Sequence, residues 1–230
     1  MTARHRKPSL RGRFLTFEGI DGCGKTTQAQ MLAGRLRGAG LPVLETREPG
    51  GTAIGEQVRA VLLRGDNSEM TPQCELLLYL ADRVQHLAQV IRPALAEGTV
   101  VLCDRYHDAT VAYQQHGRGL ALEGLRDFLA AEVHATAPHL TFWLDLPVEA
   151  AQARIARRND GPHPPGAPPF RGDESRLDSA AAAFHERVRN GYAAIRAAEP
   201  ERVLRIEAAR APGHIAAEIW KQLEARYDVL

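Results

Sequence analysis

The segment from Gly19 to Thr26 constrains this chain more than any other. It reads GIDGCGKT and fits the pattern G-x-x-x-x-G-K-[ST] without a mismatch. An apolar stretch over residues 14–18 predicts a buried strand before it, and residues 26–39 predict a helix after it. Glycines let backbone N–H groups curl around an anion, and a helix N-terminus adds partial positive charge. The sequence therefore predicts a phosphate-binding loop between the first strand and the first helix.

The residue types in this loop predict ATP and Mg²⁺ as ligands. Lys25 is expected to reach the β and γ phosphates as a catalytic cation, and the Thr26 hydroxyl is expected to contact Mg²⁺. The residues expected to contact ATP in this region are Gly19, Asp21, Gly22, Cys23, Gly24, Lys25, Thr26 and Thr27. A helix N-terminus favours a thiolate at Cys23, but we prefer an inert thiol, because side chains of such loops often face away from the anion.

Strands and helices alternate along the rest of the chain. Further strands are predicted at residues 41–46, 99–103, 140–144 and 202–206, with helical patterns between them. A long helix is predicted over residues 71–97, starting at the cap Thr71 and bent or broken at Pro93. The expected fold is α/β, a P-loop three-layer sandwich whose five-stranded parallel sheet is flanked by helices. We expect one P-loop domain over residues 13–230 after a basic, solvated tail over residues 1–12.

Composition argues against several classes of protein. The 230 residues carry a formal net charge of +1, so we expect no nucleic-acid partner. We find no stretch typical of a signal peptide or membrane span, and the three cysteines are scattered. A reducing cytoplasm is the expected location.

Residues 161–172 form a proline-rich segment that cannot be a helix or an interior strand. A surface loop is the common interpretation of such a segment. Arginines flank it on both sides, with Arg154, Arg157 and Arg158 before it and Arg176 after it. We therefore favour a mobile lid over about residues 154–178.

Two arginine-bearing turns follow predicted strands and indicate a second anion site. Arg47 comes after the second strand, and Asp104 and Arg105 come at the end of the third. Ligands of open parallel sheets bind beyond the carboxyl ends of the strands. Arg47 and Arg105 are thus predicted to hold an acceptor phosphate, and Asp104 to hold Mg²⁺ through water. A surface Asp–Arg pair without function is the alternative.

Tyr79 and Arg83 lie four residues apart and share one face of the long helix, which suits stacking on a base and reading its carbonyl. A tyrosine at the edge of the core beside a solvated arginine is the alternative. A phosphate-binding loop alone does not distinguish a nucleotide kinase from a nucleoside kinase or a non-catalytic nucleotide switch. Two arginines for an acceptor phosphate favour the first.

Six segments together resemble the thymidylate kinase family over roughly residues 13–220. They are FEGIDGCGKTTQ, TREPGGT, YLADRVQH, DRYHDATVAYQ, TFWLDLP and FHERVRNGY, in the family's order. The resemblance implies transfer of a phosphoryl group from ATP to dTMP with Mg²⁺, giving dTDP for dTTP synthesis, in a cytoplasmic homodimer.

The resemblance also implies roles for single residues. Asp21 would lie near the 3′-hydroxyl of dTMP, Tyr113 would exclude a ribose 2′-hydroxyl, and Arg154 would pack on adenine. The residues implied for dTMP binding are Asp21, Arg47, Pro49, Tyr79, Arg83, Arg105, Thr110, Tyr113 and Gln114. In one class of the family an arginine stands where this chain has Gly22; in the other the lid supplies it, so Arg158 is the first catalytic candidate, before Arg157 and Arg176. Ala109, where the family usually has Ser, and the proline-rich insert depart from the pattern.

Overall fold

The computed structural model describes residues 7–160 and 181–229. Five strands form one sheet, in which all neighbours are parallel and the order is β2-β3-β1-β4-β5. Their bounds are β1 Phe14–Glu18, β2 Val43–Arg47, β3 Val100–Asp104, β4 Leu140–Asp145 and β5 Val203–Glu207. The predicted α/β class with a five-stranded parallel sheet is confirmed.

Helices connect the strands and cover both faces of the sheet. The α-helices are α1 Lys25–Gly38, α2 Ala53–Leu63, α3 Pro72–His86, α4 Arg92–Ala96, α5 His107–Thr110, α6 Arg126–Phe128, α7 Val148–Asp160, α8 Ala182–Ala198 and α9 Pro212–Arg226. Short π-helical segments occupy Leu87–Ile91, Val111–Gly117 and Leu129–Val133, and 3₁₀ turns occupy Glu123–Leu125 and His134–Thr136. None of these described helices is long and apolar enough to cross a membrane.

Alternation along the strands divides the core between the two faces of the sheet. Leu15 and Phe17 of β1 join the larger cluster with α1, α8 and α9, whereas Phe14 joins a smaller cluster with Leu87 and Ile91. Because successive side chains of a strand point to opposite faces, a central strand buried on both sides must be apolar throughout. β1 meets this condition except at Thr16, whose buried hydroxyl is hydrogen-bonded to that of Thr141 at 2.8 Å, and Glu18 is the first charged side chain at the carboxyl edge.

Two local predictions for helix ends are met in different ways. The Thr71 side chain accepts a hydrogen bond from the Cys74 amide, as expected of an N-cap. The irregularity expected near Pro93 takes the form of the π-helical segment Leu87–Ile91, after which the helix resumes through Ala96. Proline lacks the N–H that a regular helix requires, and a π turn is one way to absorb the mismatch.

The N-terminal segment differs from the expected solvated tail. Leu10 is fully buried, Ser9 forms a bridge with Asp228, and the Lys7 ammonium donates to the Glu224 carbonyl. Burial of Leu10 explains the difference, because an apolar side chain beside an open edge of the core gains free energy by leaving water. Residues 1–6 and the predicted lid from residue 161 onward, with Arg176, lie outside the described residues.

Candidate active site

The predicted phosphate-binding loop joins the central strand β1 to α1. Gly19 and Gly24 have φ values of 136° and 100°, which residues with a side chain rarely adopt. Lys25 is buried under the loop, and its Nζ donates to the carbonyl oxygens of Gly19 and Ile20 at 3.3 and 3.1 Å. This geometry holds the ammonium group inside the loop that is predicted to bind phosphate.

Thr26 and Asp104 meet at the start of α1. The Thr26 hydroxyl donates to Asp104 Oδ2 at 2.6 Å, although the two residues are 78 positions apart. A hydroxyl and a carboxylate are hard oxygen donors of the kind Mg²⁺ prefers beside phosphates. The pair therefore fits the predicted metal site.

Helix α7 lies directly against the phosphate-binding loop. A Cβ added to Gly22, whose φ is 79°, would lie 2.7 Å from the Ala151 carbonyl oxygen and 3.1 Å from an Ile155 side-chain carbon. The Arg154 guanidinium donates to the carbonyls of Gly22 and Cys23, at 3.5 and 3.4 Å, and to that of Ala208 at 2.8 Å. The loop thus has no room for a side chain at position 22, and α7 is fastened to its backbone.

Arg105 lies at the centre of the hydrogen-bond network beside the loop. Its Nη1 donates to the Gly19 carbonyl at 2.9 Å, and its Nη2 donates to Asp21 Oδ1 at 2.6 Å and to the Tyr113 hydroxyl at 2.9 Å. Tyr113 in turn donates to Asp21 Oδ2 at 3.0 Å. The backbone φ of Arg105 is 72°, a left-handed value that costs a non-glycine residue about 1–2 kcal/mol.

The pKa values of two carboxylates near Arg105, Asp21 and Glu18, are shifted in opposite directions. Burial alone would raise the pKa of Asp21, but the charges of Arg105 and Lys25 outweigh it and hold that pKa well below its usual range. For Glu18, burial and then the charge of Asp108 raise the pKa to about 8. Glu18 accepts hydrogen bonds from the Tyr106 amide at 2.6 Å and from the Tyr192 hydroxyl at 2.7 Å. It therefore supports the chain next to Arg105 rather than contributing a fixed charge.

The second arginine turn follows β2. Arg47 is paired in register with Asp104 of β3, and its guanidinium binds Glu56 at 3.0 Å. Glu48, Pro49 and Gly50 after it are buried. The three sites predicted from separate motifs, at Lys25, at Arg47 and at Asp104–Arg105, thus come together at the carboxyl edge of the sheet.

Arg83 is far more buried than the expected position at a pocket wall implies, since 1% of the residue is exposed. Its Nε donates to Glu48 Oε2 at 2.7 Å, its Nη1 to the Thr110 hydroxyl at 2.7 Å, and its Nη2 to the Tyr106 carbonyl at 3.0 Å. The other carboxylate oxygen of Glu48, Oε1, lies 3.0 Å from His86 Nδ1. The alternative of a solvated arginine is therefore wrong.

Helix α3 faces the segment after α5 through an antiparallel series of contacts. Arg83 contacts Thr110, whereas Glu75, two turns earlier, binds both Gln114 and Arg118. Tyr79, half-buried, lies between Glu75 and Arg83 at the same spacing of four residues. We call this facing set of side chains, which consists of Glu75, Tyr79, Arg83, Thr110 and Gln114, the α3 slot.

Comparisons with known proteins agree with this geometry. The family model described as Thymidylate kinase matches residues 17–219. A thymidylate kinase of Synechococcus sp. (strain JA-2-3B'a(2-13)) is 47% identical over 213 residues, which cover 93% of this chain and 95% of that protein. One of Trichlorobacter lovleyi is 46% identical over 216 residues, which cover 94% and 99%. This chain belongs to the thymidylate kinase family.

A solved thymidylate kinase structure from Ehrlichia chaffeensis supports the same assignment. It has a TM-score of 0.69 and 32% identity and covers 91% of this chain and 97% of its own. Phosphoryl transfer to dTMP is the reaction of the thymidylate kinase family, and the chain is a nucleoside monophosphate kinase.

Several residues of this thymidylate kinase site were not singled out from the sequence. Glu18, Glu48, Glu75 and Tyr192 are buried. Glu48 binds Arg83, Glu75 binds Gln114 and Tyr192 binds Arg105, whereas Glu18 accepts from Tyr192 and the Tyr106 amide. Glu18 and Glu48 stand inside quoted motifs, so an acidic residue closing an apolar strand, or following Arg47, was an available signal. Tyr192 also closes a quoted motif, FHERVRNGY, whereas Glu75 stands outside all six motifs, and only the packing of distant helices brings it to the site.

The structure also bears on Cys23 and Arg158. The Cys23 thiol is buried, and burial raises its pKa, the nearby charges of Lys25 and Arg105 notwithstanding. That supports the inert thiol and leaves only its backbone to face a nucleotide.

Arg158 belongs to α7, but its side chain lies outside the described part of the chain, whereas Arg157 is exposed and donates to the Ala153 carbonyl.

Proposed function

We propose that this kinase transfers the γ-phosphoryl group of MgATP to the 5′-phosphate of dTMP, giving ADP and dTDP. An oxygen of the dTMP phosphate attacks the γ-phosphorus, and the bond to the β,γ-bridging oxygen breaks. The observation that carries the proposal is Arg105, which bonds at once to the phosphate-binding loop at Gly19 and to Asp21. A guanidinium in that place suits an acceptor that itself bears a phosphate, since it can hold two oxygens side by side.

On the donor side, the loop amides and Lys25 would hold the phosphates of ATP. Thr26 and, through water, Asp104 would hold Mg²⁺, which when bound neutralises charge on the β and γ phosphates. Arg154 already bridges the loop and Ala208, and it would pack on adenine. These roles need little rearrangement, because a loop carbonyl already holds Lys25 and the Ala208 carbonyl already holds Arg154 beside the loop.

The catalytic arginine is proposed to come from the lid, with Arg158 as first candidate. Gly22 supports this choice, because a side chain there would collide with the α7 backbone at Ala151. Helix α7 also carries arginines toward residue 161. A cation brought to the transferring group would offset the charge that spreads over its oxygens in the transition state.

On the acceptor side, Arg47 and Arg105 would hold the dTMP phosphate. The ionised Asp21 would accept a hydrogen bond from the 3′-hydroxyl, and Tyr113, bonded to Asp21, would leave no room for a 2′-hydroxyl. The base would enter the α3 slot, stacking on Tyr79 with Pro49 nearby, and Arg83, Thr110 and Gln114 would face its polar edge.

A coupled assay of ADP release with a panel of acceptors tests the proposal. We expect dTMP to be the best acceptor and dUMP to be weaker, because one methyl group in an apolar pocket is worth roughly 1–3 kcal/mol. Purine monophosphates would be poor, since a larger base would clash opposite Tyr79. Faster turnover of AMP, GMP or the nucleoside thymidine than of dTMP would contradict it.

We further propose a cytoplasmic homodimer that forms through α2 and α3. Ile54 and Val61 lie seven residues apart on α2 with 52% and 45% exposed, and Leu77 of α3 is 57% exposed. Such exposed apolar groups on adjacent helices suit a second copy of the chain, which would present the same surface. Light scattering should give a dimer for the wild type and a monomer for Leu77→Glu. The exposed Met31→Glu on α1 is the control and should remain a dimer.

A further inference from the structure

Glu75 lies at one end of the α3 slot, where its two oxygens are surrounded by donors. The Gln114 amide nitrogen Nε2 lies 2.8 Å from Glu75 Oε1, and Arg118 donates through Nε at 3.2 Å and through Nη2 at 2.9 Å. One per cent of Glu75 and two per cent of Gln114 are exposed. A buried carboxylate paired in this way with a guanidinium is an acceptor only.

This arrangement fixes which way the Gln114 amide faces. The oxygen and nitrogen of a glutamine amide are nearly interchangeable in shape, so only the hydrogen-bond partners decide its orientation. Because Glu75 can only accept, the Gln114 NH₂ group must face it, and the carbonyl oxygen Oε1 is left for a ligand. Arg118 strengthens the choice by pairing with both oxygens of the Glu75 carboxylate and holding it in place, with its own guanidinium over the Phe184 ring at 4.7 Å.

The other end of the slot has the opposite hydrogen-bonding character. Arg83 carries only donors, and it donates to Glu48, Thr110 and the Tyr106 carbonyl. A base between these walls would therefore meet a donor from Arg83 and an acceptor from Gln114. Thymine and uracil offer the complement, with the O4 acceptor next to the N3–H donor, whereas cytosine offers an amino donor next to an N3 acceptor.

We propose that Glu75 is a positioning residue that sets the selectivity for thymine or uracil over cytosine by orienting the Gln114 amide. Glu75 itself does not touch the substrate. The inference rests on the proposed binding of dTMP in the α3 slot. It adds the residue that fixes the hydrogen-bonding polarity there, through a contact between α3 and the π-helical segment Val111–Gly117.

The variant Glu75→Gln tests whether Glu75 orients the Gln114 amide. Arg118 would donate to the oxygen of the new amide, so the NH₂ group of that amide would face Gln114. The Gln114 amide would then have to turn, presenting a donor where the base has N3–H. We expect the ratio of kcat/KM for dUMP to kcat/KM for dCMP to fall at least tenfold, mainly because KM for dUMP rises. This pair of substrates differs only at the edge in question, so the methyl group plays no part.

Arg118→Lys is the matched control. It disturbs the same buried cluster but leaves Glu75 an acceptor, so the dUMP-to-dCMP ratio should stay within about threefold of the wild-type ratio. An unchanged ratio in Glu75→Gln, or an equal fall in Arg118→Lys, would overturn the proposal. Failure of the wild type to phosphorylate dTMP or dUMP would instead overturn the proposed function.

A neutron diffraction structure of the wild-type complex with dTMP gives an answer even where Glu75→Gln does not fold. Deuterium on the Gln114 atom that faces Glu75, with the oxygen toward the base, is the expected result. The reverse orientation of the amide would refute the proposal outright.

Discussion

The Arg105 guanidinium donates to the Asp21 carboxylate across 2.6 Å, although the residues are 84 positions apart and follow different strands. Asp21 belongs to the phosphate-binding loop and Arg105 to the turn after β3, so this pair joins the expected donor and acceptor sites. The left-handed backbone at Arg105 is what turns the guanidinium toward the loop, and the Glu18 carboxylate supports that turn through the next amide.

Replacing Arg105 should separate its chemical role from its backbone strain. Both Arg105→Ala and Arg105→Gly should lower kcat/KM for dTMP at least a hundredfold, because both remove the guanidinium. They should differ in stability. Relief of the left-handed strain, reduced by the greater entropy that glycine loses on folding, should leave the glycine variant more stable by roughly 0.5–1 kcal/mol. Urea unfolding of the two variants measures the difference, and an alanine variant as stable as the glycine variant would contradict the strain.

Gly22→Ala should be more harmful than Gly24→Ala to the ligand-free protein. Both glycines have positive φ, at 79° and 100°, so both substitutions carry backbone strain. Only the Cβ at position 22 meets the α7 backbone, whereas that at position 24 meets no described atom within 4 Å. The additional collision should cost Gly22→Ala about 1–3 kcal/mol more in free energy of unfolding. Equal losses in urea unfolding would mean that α7 moves aside without cost.

Arg83→Ala should destabilise the fold as well as weaken dTMP binding. It would leave the buried Glu48 carboxylate without its guanidinium partner, which typically costs about 3–5 kcal/mol. The double variant Glu48→Met/Arg83→Met should lose less than the sum of the two single methionine variants, because no lone charge remains buried. Arg64→Ala serves as the control, since its ion pair with Asp66 is exposed and worth less than about 1 kcal/mol. Additive losses at Glu48 and Arg83 would rule out the coupling.

Asp82 should make stability depend on pH. It is buried, its Oδ1 accepts from the Gly50 amide at 3.0 Å, and its Oδ2 has no partner among the described residues. Burial and then the charge of Glu48 raise the pKa of Asp82 from 3.8 to about 7. The proton is therefore bound more tightly in the folded state, so this group's contribution to stability is full below about pH 4 and is lost as the pH rises to about 7.

Comparison of Asp82→Asn with the wild type measures this effect. Relative to the wild type, the variant should gain stability between pH 5 and pH 8, on the order of 2 kcal/mol, because asparagine keeps an acceptor for Gly50 and carries no proton to lose. Glu18, whose pKa is also raised, is present in both proteins and cancels. Asp66→Asn, at an exposed carboxylate, should show no such gain, and a constant difference between Asp82→Asn and wild type across this range would count against the prediction.

The sequence by itself determined those features whose physics is local. The phosphate-binding loop lies within eight consecutive residues, so glycine conformation and the helix N-terminus specify it without help from the rest of the chain. The same holds for β1, β3 and β4, which are short and largely apolar runs, and for the N-cap Thr71. That Arg47 and Asp104 meet at one edge also followed, because parallel strands bring their carboxyl ends together.

Tertiary structure alone decided the partners of the polar and charged side chains at the site. Glu48 and Arg83 are 35 positions apart, Glu75 and Gln114 are 39 apart, and Thr26 and Asp104 are 78 apart. A buried charge must find a partner, but composition and spacing do not say which of many distant groups it will be. The sequence therefore named most of the side chains that the structure brings together at this edge of the sheet, whereas packing of α3 against the Val111–Gly117 segment fixed the orientation of those between them, since hydrogen bonds depend on positions within a fraction of an ångström.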